Sequence, residues 1–441
     1  MEKPNILVIH CDQLSWGALS IHGGAVVQTP NIDRIGLEGA RFNNFFTNSA
    51  VCTPSRGCFL TGRYPSCHGA YRNNIPLNKD EITFAHVLRD HGYHTGYGGK
   101  WHLGGMPRGV VPSEFAMGFT DSKYMFNRAQ HKILQFSPDD PDNIVKEYST
   151  DWLTDRAIEF IEENFKAPFC YMLAYPDPHG SFKPRPPYDT LLKPKDMVIP
   201  STFSLEGPSW AMMEREKSGY KMKNPDREKK VRHDATQYYG MVKLLDDSVA
   251  KVLDFLEQKG ILDDTIIVFT SDHGEYLGEH GLNGKNKVYE TAYRIPVLIR
   301  WPEKIKAGTV VENICSTVDF PQTLFGLLGI KPSGREQGRD ASPLLGGEPT
   351  GWVDEAVFHH SKGRYAGIFT PEYELAYARQ GDHVLFDRKK DPEQINNLFS
   401  RPEREGIVKE LSEKIIQNPE KYNSPDAKWL KAHVQKWNQI Q

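Results

Sequence analysis

Cysteine is scarce in this chain: six among 441 residues. That count excludes a disulfide scaffold and leads us to expect a reducing compartment. No apolar run approaches the roughly 20 residues of a membrane span. Low-complexity tracts are missing too. With 39% apolar and 25% charged residues, the chain is neither disordered nor fibrous. No charge of one sign dominates: 54 lysines and arginines face 57 aspartates and glutamates, a net of −3. That balance argues against nucleic acid or a membrane surface as partner. The opening Met1-Glu2-Lys3-Pro4-Asn5 runs straight into Ile6-Leu7-Val8-Ile9. It holds no apolar segment of about 7–15 residues before a small-residue cleavage site, so no signal peptide and a cytoplasmic location are expected.

What is present is an alternation of apolar runs and amphipathic stretches, which predicts an α/β fold with a largely parallel sheet flanked by helices. Strands are expected at Asn5–His10, Phe169–Tyr175, Thr265–Thr270 and Ile295–Arg300. Helical spacing predicts helices over Asn31–Glu38, Asp80–Asp90, Thr150–Asn164 and Asp234–Lys259. The last carries the stripe Tyr238, Met241, Leu245, Val249, Val252 and Leu256. Between Ser181 and Lys230 lies a stretch rich in proline, lysine and methionine, read as a long surface excursion. Beyond about Pro332 the pattern changes to short strand candidates, Glu374–Tyr377 and His383–Phe386, and a charged helical tail. The expected organisation is a catalytic domain over 1–331 and a smaller α+β subdomain over 332–441, a small antiparallel sheet plus helix.

Four apolar runs end in residues of catalytic type. They close on Asp12-Gln13, Lys100-Trp101-His102, Asp177-Pro178-His179 and Asp272-His273-Gly274-Glu275. Ligands of open α/β sheets bind beyond the carboxyl ends of the strands. Taken singly, such an Asp reads as a helix N-cap and such a His as a packed side chain. Together they make one crevice with carboxylates for a hard cation and cations for an oxyanion.

The missing nucleophile is supplied by Cys52-Thr53-Pro54-Ser55-Arg56, followed by Gly57-Cys58-Phe59-Leu60-Thr61-Gly62. Pro54 favours a first helical turn and Gly62 a stop. Cys52 is therefore expected at a helix N-terminus, where free N–H groups favour an anion. Arg56, one turn on, would pair with negative charge. The competing reading, a buried structural thiol, does not account for the Pro-Ser-Arg context.

Cys52-x-Pro54-Ser55-Arg56 with Thr61-Gly62-Arg63 resembles the signature of the type I sulfatases, members of the alkaline-phosphatase-like superfamily. Further blocks carry the resemblance. They are Gly99-Lys100-Trp101-His102-Leu103-Gly104 and Asp272-His273-Gly274-Glu275 with Gly278-Glu279-His280-Gly281, then Gly284-Lys285 and Tyr289-Glu290. Asp387 to Leu398 resembles the family's C-terminal ending. The resemblance spans Asn5 to about Leu398 and implies an alkaline-phosphatase-like mixed, largely parallel sheet.

It also implies chemistry. Cys52 would be oxidised to formylglycine (3-oxoalanine) by a maturation enzyme, an expected partner. The hydrated aldehyde would attack sulfur, activated by a divalent metal. By the resemblance, Asp12, Gln13, Asp272, His273 and modified Cys52 are the metal ligands. Arg56 stabilises the gem-diol, and Lys100 and Lys285 neutralise sulfate oxygens. His179 or Lys285 protonates the departing alcohol, and His102 takes the proton whose loss expels sulfate. Many relatives have Asp where Gln13 stands and Asn where His273 stands. Calcium is the expected ion, with manganese or magnesium as alternatives.

The substrate expected is a small sulfate ester, most simply a sulfated saccharide. Rival readings are a phosphonate monoester hydrolase or phosphodiesterase of the same superfamily, and a catalytically silent sulfated-glycan-binding relative. His10, Cys11, Cys58 and Cys67 are read as packed or surface residues. Glu275 and Glu279 are either orienting groups or a solvated helix start. Arg72, Asn73 and Asn74 reach the leaving group or form a polar turn. Trp101 is a sugar platform or a wedge, and Asp177 places His179 or caps a turn. Arg227-Glu228-Lys229-Lys230 is read as a solvated helix face.

Overall fold

The computed structural model describes residues 3–105, 108–128, 134–137, 139–140, 142–347, 351–360, 363–422 and 426–440. Eight strands form the main sheet. They are β1 (Asn5–Cys11), β2 (Ala40–Phe46), β3 (His94–Lys100), β4 (Asp121–Phe126), β5 (Phe169–Ala174), β6 (Thr265–Ser271), β7 (Val297–Arg300) and β8 (Thr309–Ser316). Their order is β4-β3-β5-β1-β6-β7-β2-β8. Only β7 runs against its neighbours, β6 and β2; every other pairing is parallel. The expected largely parallel sheet is therefore present.

Parallel strands buried on both faces read as continuous apolar runs, and their period of two sorts side chains between two cores. In β1, Ile6 and Val8 enter one core, while Leu7, Ile9 and Cys11 enter the other. The second core is closed by the helix Ser149–Asn164, through Leu153, Ala157, Phe160 and Ile161. The helix Arg227–Gln258 closes it further through Tyr238, Val242, Leu245, Val249, Val252 and Leu256. The first core is closed by Phe59 and Leu60 of the helix Cys52–Thr61 and by Phe84 and Leu88 of the helix Phe84–Asp90.

Three local differences from expectation have physical causes. The helix expected from Asp80 begins at Phe84, because Thr83 and His86 form a reciprocal cap there. The long helix begins at Arg227, seven residues earlier than the stripe indicates; its first turn is the solvated charged run Arg227–Lys230. The excursion 181–230 is not bare loop. It contains a helix, Ser209–Lys217, whose buried Arg215 donates to the carbonyls of His280 (3.1 Å) and Leu205 (2.7 Å). The excursion thus packs on the segment that leads to Lys285.

A second, antiparallel sheet follows: β9 (Ala356–His359), β10 (Tyr365–Phe369), β11 (Tyr373–Ala378) and β12 (Val384–Asp387), in the order β12-β11-β10-β9. Alternation again decides what each face meets. Tyr365 and Phe369 pack with Phe46 and Tyr293 of the main domain. Ala366, Ile368, Leu375 and Tyr377 pack under the helices Glu405–Lys421 and Asp426–Ile440, against Val408, Leu411, Ile415 and Leu430. The preceding stretch joins the large domain instead, since Ala341, Leu344 and Leu345 lie in its first core. Among the described residues, no helix is long and apolar enough to cross a membrane.

Candidate active site

Since β1, β2, β3, β5 and β6 all run the same way, their carboxyl ends share one edge, and each delivers part of the site. Backbone bonds fasten these ends together: Asp12 N–H donates to Asp177 O (3.1 Å) and Asp272 N–H to Cys11 O (3.2 Å). Lys100 ends β3 after Gly99, which has φ +109. A Cβ at Gly99 would stand 2.0 Å from the carbonyl oxygen of Ala174, so only glycine lets β3 lie this close to β5.

Cys52 is the first residue of the helix Cys52–Thr61, as its motif predicts, and Gly62 closes that helix in the left-handed conformation with φ +66. The thiol is 1% exposed. Its Sγ lies 3.2 Å from His273 Nε2, 3.6 Å from Asp12 Oδ1 and 3.8 Å from Lys100 Nζ. The ligand atoms of Asp12, Cys52, Asp272 and His273 all fall within 4.8 Å of one another. His273 Nδ1 lies 3.0 Å from the Gly274 carbonyl, which can only accept, so Nδ1 carries a proton and Nε2 is the ring nitrogen that faces the cluster. Two carboxylates and an imidazole nitrogen, with the Gln13 amide beside them, are a donor set that fits a divalent cation.

Arg56 is buried with them. Its Nε and Nη2 reach Asp272 Oδ2 at 3.1 and 3.0 Å, Nη2 stands 3.9 Å from Asp12, and Nη1 donates to the Lys100 carbonyl at 2.9 Å. Lys100 Nζ pairs directly with Asp12. Charge balance sets protonation here. Burial alone would raise the Cys52 pKa, but Lys100, Lys285 and His273 outweigh it and hold the thiol well below its ordinary value. Burial also opposes ionisation of Asp12, yet Lys100, His179 and Arg56 hold its carboxyl low. Burial and the neighbouring Asp12 push Asp272 upward. Burial disfavours the charged form of His273, and Asp272 more than offsets that. The cluster therefore favours negative charge at residue 52 and at Asp12.

The remaining residues gather on the Gln13 side. Lys285 Nζ bonds to Gln13 Oε1 and lies 3.2 Å from His179 Nε2. His179 Nδ1 faces the Gly180 carbonyl at 2.5 Å. His102 adopts φ +59, its carbonyl accepts the Thr53 hydroxyl at 2.8 Å, and its ring reaches the Cys52 thiol. Burial lowers the His102 pKa, which leaves a neutral imidazole able to take a proton. All ten sequence-selected residues thus lie around one centre.

Other residues resolve differently. Trp101 is 1% exposed and meets Tyr97 and Phe119 edge to face, so it is a wedge and not a sugar platform. His10 and Cys11 are fully buried, and His10 packs edge-on against Phe59. Asn73 Oδ1 accepts the Thr53 N–H at 3.1 Å, capping the nucleophile helix. Asp177 is buried and accepts the Thr150 hydroxyl at 2.8 Å. Sequence reasoning missed Ser55, whose hydroxyl donates to the Asp272 carbonyl at 2.6 Å, and Tyr97, whose hydroxyl donates to the Lys100 carbonyl at 2.6 Å. Ser55 stands inside the Cys52–Arg56 motif, but its bond to Asp272 depends on a strand end 217 positions away, and nothing in the local pattern marks Tyr97.

Comparison with known proteins agrees with this geometry. The sulfatase family profile matches residues 4–330, and the profile of the N-sulphoglucosamine sulphohydrolase C-terminal region matches 278–421. The chain is 30% identical to an N-acetylglucosamine-6-O-sulfatase of Bacteroides thetaiotaomicron, over 97% of this chain and 88% of that one. It is 31% identical to an ulvan-active sulfatase of Formosa agariphila, over 94% and 80%. A solved structure in complex with its substrate D-glucosamine-2-N,6-O-disulfate superposes with a TM-score of 0.84 at 28% identity, covering 97% of this chain and 99% of that one. The chain belongs to the sulfatase family of the alkaline-phosphatase-like superfamily and is a sulfuric ester hydrolase.

Proposed function

We propose that this protein hydrolyses the sulfate ester of a small sulfated saccharide, using residue 52 in its formylglycine form. The observation that carries the reading is the buried Cys52 at a helix N-terminus, among Asp12, Asp272, His273 and Lys100. The saccharide is supported by the names of the relatives, one an N-acetylglucosamine-6-O-sulfatase, and by the glucosamine disulfate bound in the similar structure. Asp12, Gln13, Asp272, His273 and residue 52 would hold the divalent cation, calcium before manganese or magnesium. Formylglycine, made by a maturation enzyme, would supply a nucleophilic oxygen when hydrated, and a cation held by these residues would lower the pKa of that hydroxyl and offer positive charge to the sulfate.

This chain's own residues do the rest. Lys100 and Lys285 offer positive charge to the sulfate oxygens, where charge builds in the transition state. Arg56, itself on the nucleophile helix, fixes Asp272 and the Lys100 carbonyl against that helix. Lys285, donating to His179 Nε2, stands as the proton source for the departing sugar oxygen, with His179 as its relay. His102, neutral and against residue 52, accepts the proton whose removal expels sulfate.

The test is a mass measurement on the tryptic fragment Phe42–Arg56 from protein made in its own host, paired with kinetics. A fragment lighter by the exchange of thiol for aldehyde is expected. So is a higher kcat/KM on glucosamine 6-sulfate than on a phenyl phosphonate ester. An unmodified thiol in native material overturns the nucleophile, and the reverse kinetic order overturns the substrate class.

A further inference from the structure

Glu275 follows Asp272 and His273 in the chain, on the segment that continues from the end of β6. It is 2% exposed, and its two oxygens have separate partners. Oε1 accepts backbone N–H groups from Leu277 (3.1 Å) and Gly284 (2.5 Å). Oε2 accepts the side-chain Nε2 of Gln13. Its own backbone is clamped by Ser15, whose Oγ accepts the Glu275 N–H at 2.8 Å and donates to the Glu275 carbonyl at 2.9 Å. Gln13 is held as firmly. Its φ is +70 and its N–H donates to Asp272 Oδ1 at 2.9 Å. With Nε2 occupied by Glu275, the amide oxygen is left facing Lys285.

We propose that Glu275 is a positioning residue: it fixes the Gln13 carboxamide with its oxygen toward the cation site, and it is the reason position 13 carries an amide. This rests on reading the cluster as a divalent-cation centre. A carboxylate at position 13 would set two like charges together in a buried place, which a protein avoids by trapping a proton or moving a side chain. An amide instead donates to Glu275 on one side and offers an acceptor on the other. The same carboxylate holds Gly284, the residue before Lys285. One buried acid therefore sets both a ligand and the cation beside it.

The test is a four-protein cycle on the full chain: wild type, Glu275→Gln, Gln13→Glu, and the double variant Gln13→Glu/Glu275→Gln. Each protein is stripped with chelator and titrated calorimetrically with calcium chloride, so the readout is binding and not turnover. Glu275→Gln leaves one acceptor oxygen for both duties, and calcium affinity is expected to fall about 10–100-fold. In the double variant the groups exchange roles. The new amide oxygen takes Leu277 and Gly284, and its NH2 donates to the new carboxylate. The double variant is expected to bind calcium at least about tenfold more tightly than the product of the two single effects. Additive effects overturn the proposal and leave Glu275 as a loop anchor only. If Glu275→Gln fails to fold, recovery of a cooperative melt in the double variant supports the exchange, and continued failure overturns it. A wild type that binds neither calcium, manganese nor magnesium fails the metal-centre reading itself, an outcome distinct from additivity.

Discussion

The two sides of the active site are built differently. On one side Arg56, Asp272, Asp12, Cys52 and Lys100 are all buried and all stand on strand ends or the nucleophile helix. On the other, His179 and Lys285 are half-exposed and stand on loops, the latter braced by Glu275 and the excursion helix. Groups that meet the reacting sulfur need fixed geometry, because electrostatic stabilisation works only if donors are already in place. Groups that meet the leaving alcohol face the part of the substrate that varies. Loops carried by a rigid scaffold suit that task.

Removing the nucleophile gives the largest effect on this contrast. Cys52→Ala is expected to lower kcat/KM by roughly 10⁴-fold or more, while its far-ultraviolet spectrum stays that of wild type. Residual activity within tenfold of wild type would place the nucleophile elsewhere. Arg56→Met probes the buried side through stability. It strips Asp272 of its closest counter-charge and is expected to cost about 3–5 kcal/mol in chemical unfolding. Lys285→Met, on the half-exposed side, is expected to cost about 1 kcal/mol or less. Equal losses would erase the distinction between the two sides.

His179→Asn sharpens the comparison through chemistry. Loss of general-acid help is expected to lower kcat/KM about 10²-fold on a sugar sulfate, whose leaving oxygen needs a proton. Little change is expected on 4-nitrophenyl sulfate, whose phenolate leaves unaided. An equal drop on both substrates would assign His179 to sulfate binding instead.

The buried side is also the side legible in sequence. Apolar runs that stop at Asp12 and Asp272 announce strand ends, and Pro54 with Gly62 brackets the Cys52 helix. Those signals are local, so a linear reading captures them. What it leaves undecided depends on partners far along the chain. Glu275 meets Gln13 across 262 positions, and Asn73 caps a helix that begins 21 residues earlier. Arg215 lies in a stretch with no clear apolar period, yet it anchors that stretch through the distant carbonyl of His280. Trp101 could face sugar or core on its motif alone. Only the proximity of Tyr97 and Phe119 decides for the core. The reversed direction of β7 is likewise a property of topology, not of its three apolar residues and Arg300.

An effect confined to a pH window concerns the seam between the two sides, at Asp177. Its backbone carbonyl fastens Asp12, and its side chain is fully buried two residues before His179. Burial pushes its carboxyl up to about 7, with the charges of Asp151 and Asp12 adding to the rise and the bond from Thr150 opposing it. In the unfolded chain an aspartate titrates near about 4. Below about 4 both states hold the proton, and Asp177 contributes no pH dependence. Between about 4 and 7 the folded protein keeps a proton that the unfolded chain has released, so stability falls as pH rises. Above about 7 both states are ionised and the slope vanishes. Asp177→Asn keeps the acceptor for Thr150 and removes the titration. Unfolding free energies of wild type and variant, measured from pH 4 to pH 8, should therefore diverge in the variant's favour by a few kcal/mol as pH rises. Parallel curves would mean that Asp177 is ionised in the folded protein at acid pH, and that the seam carries a full negative charge beside the loop that bears His179.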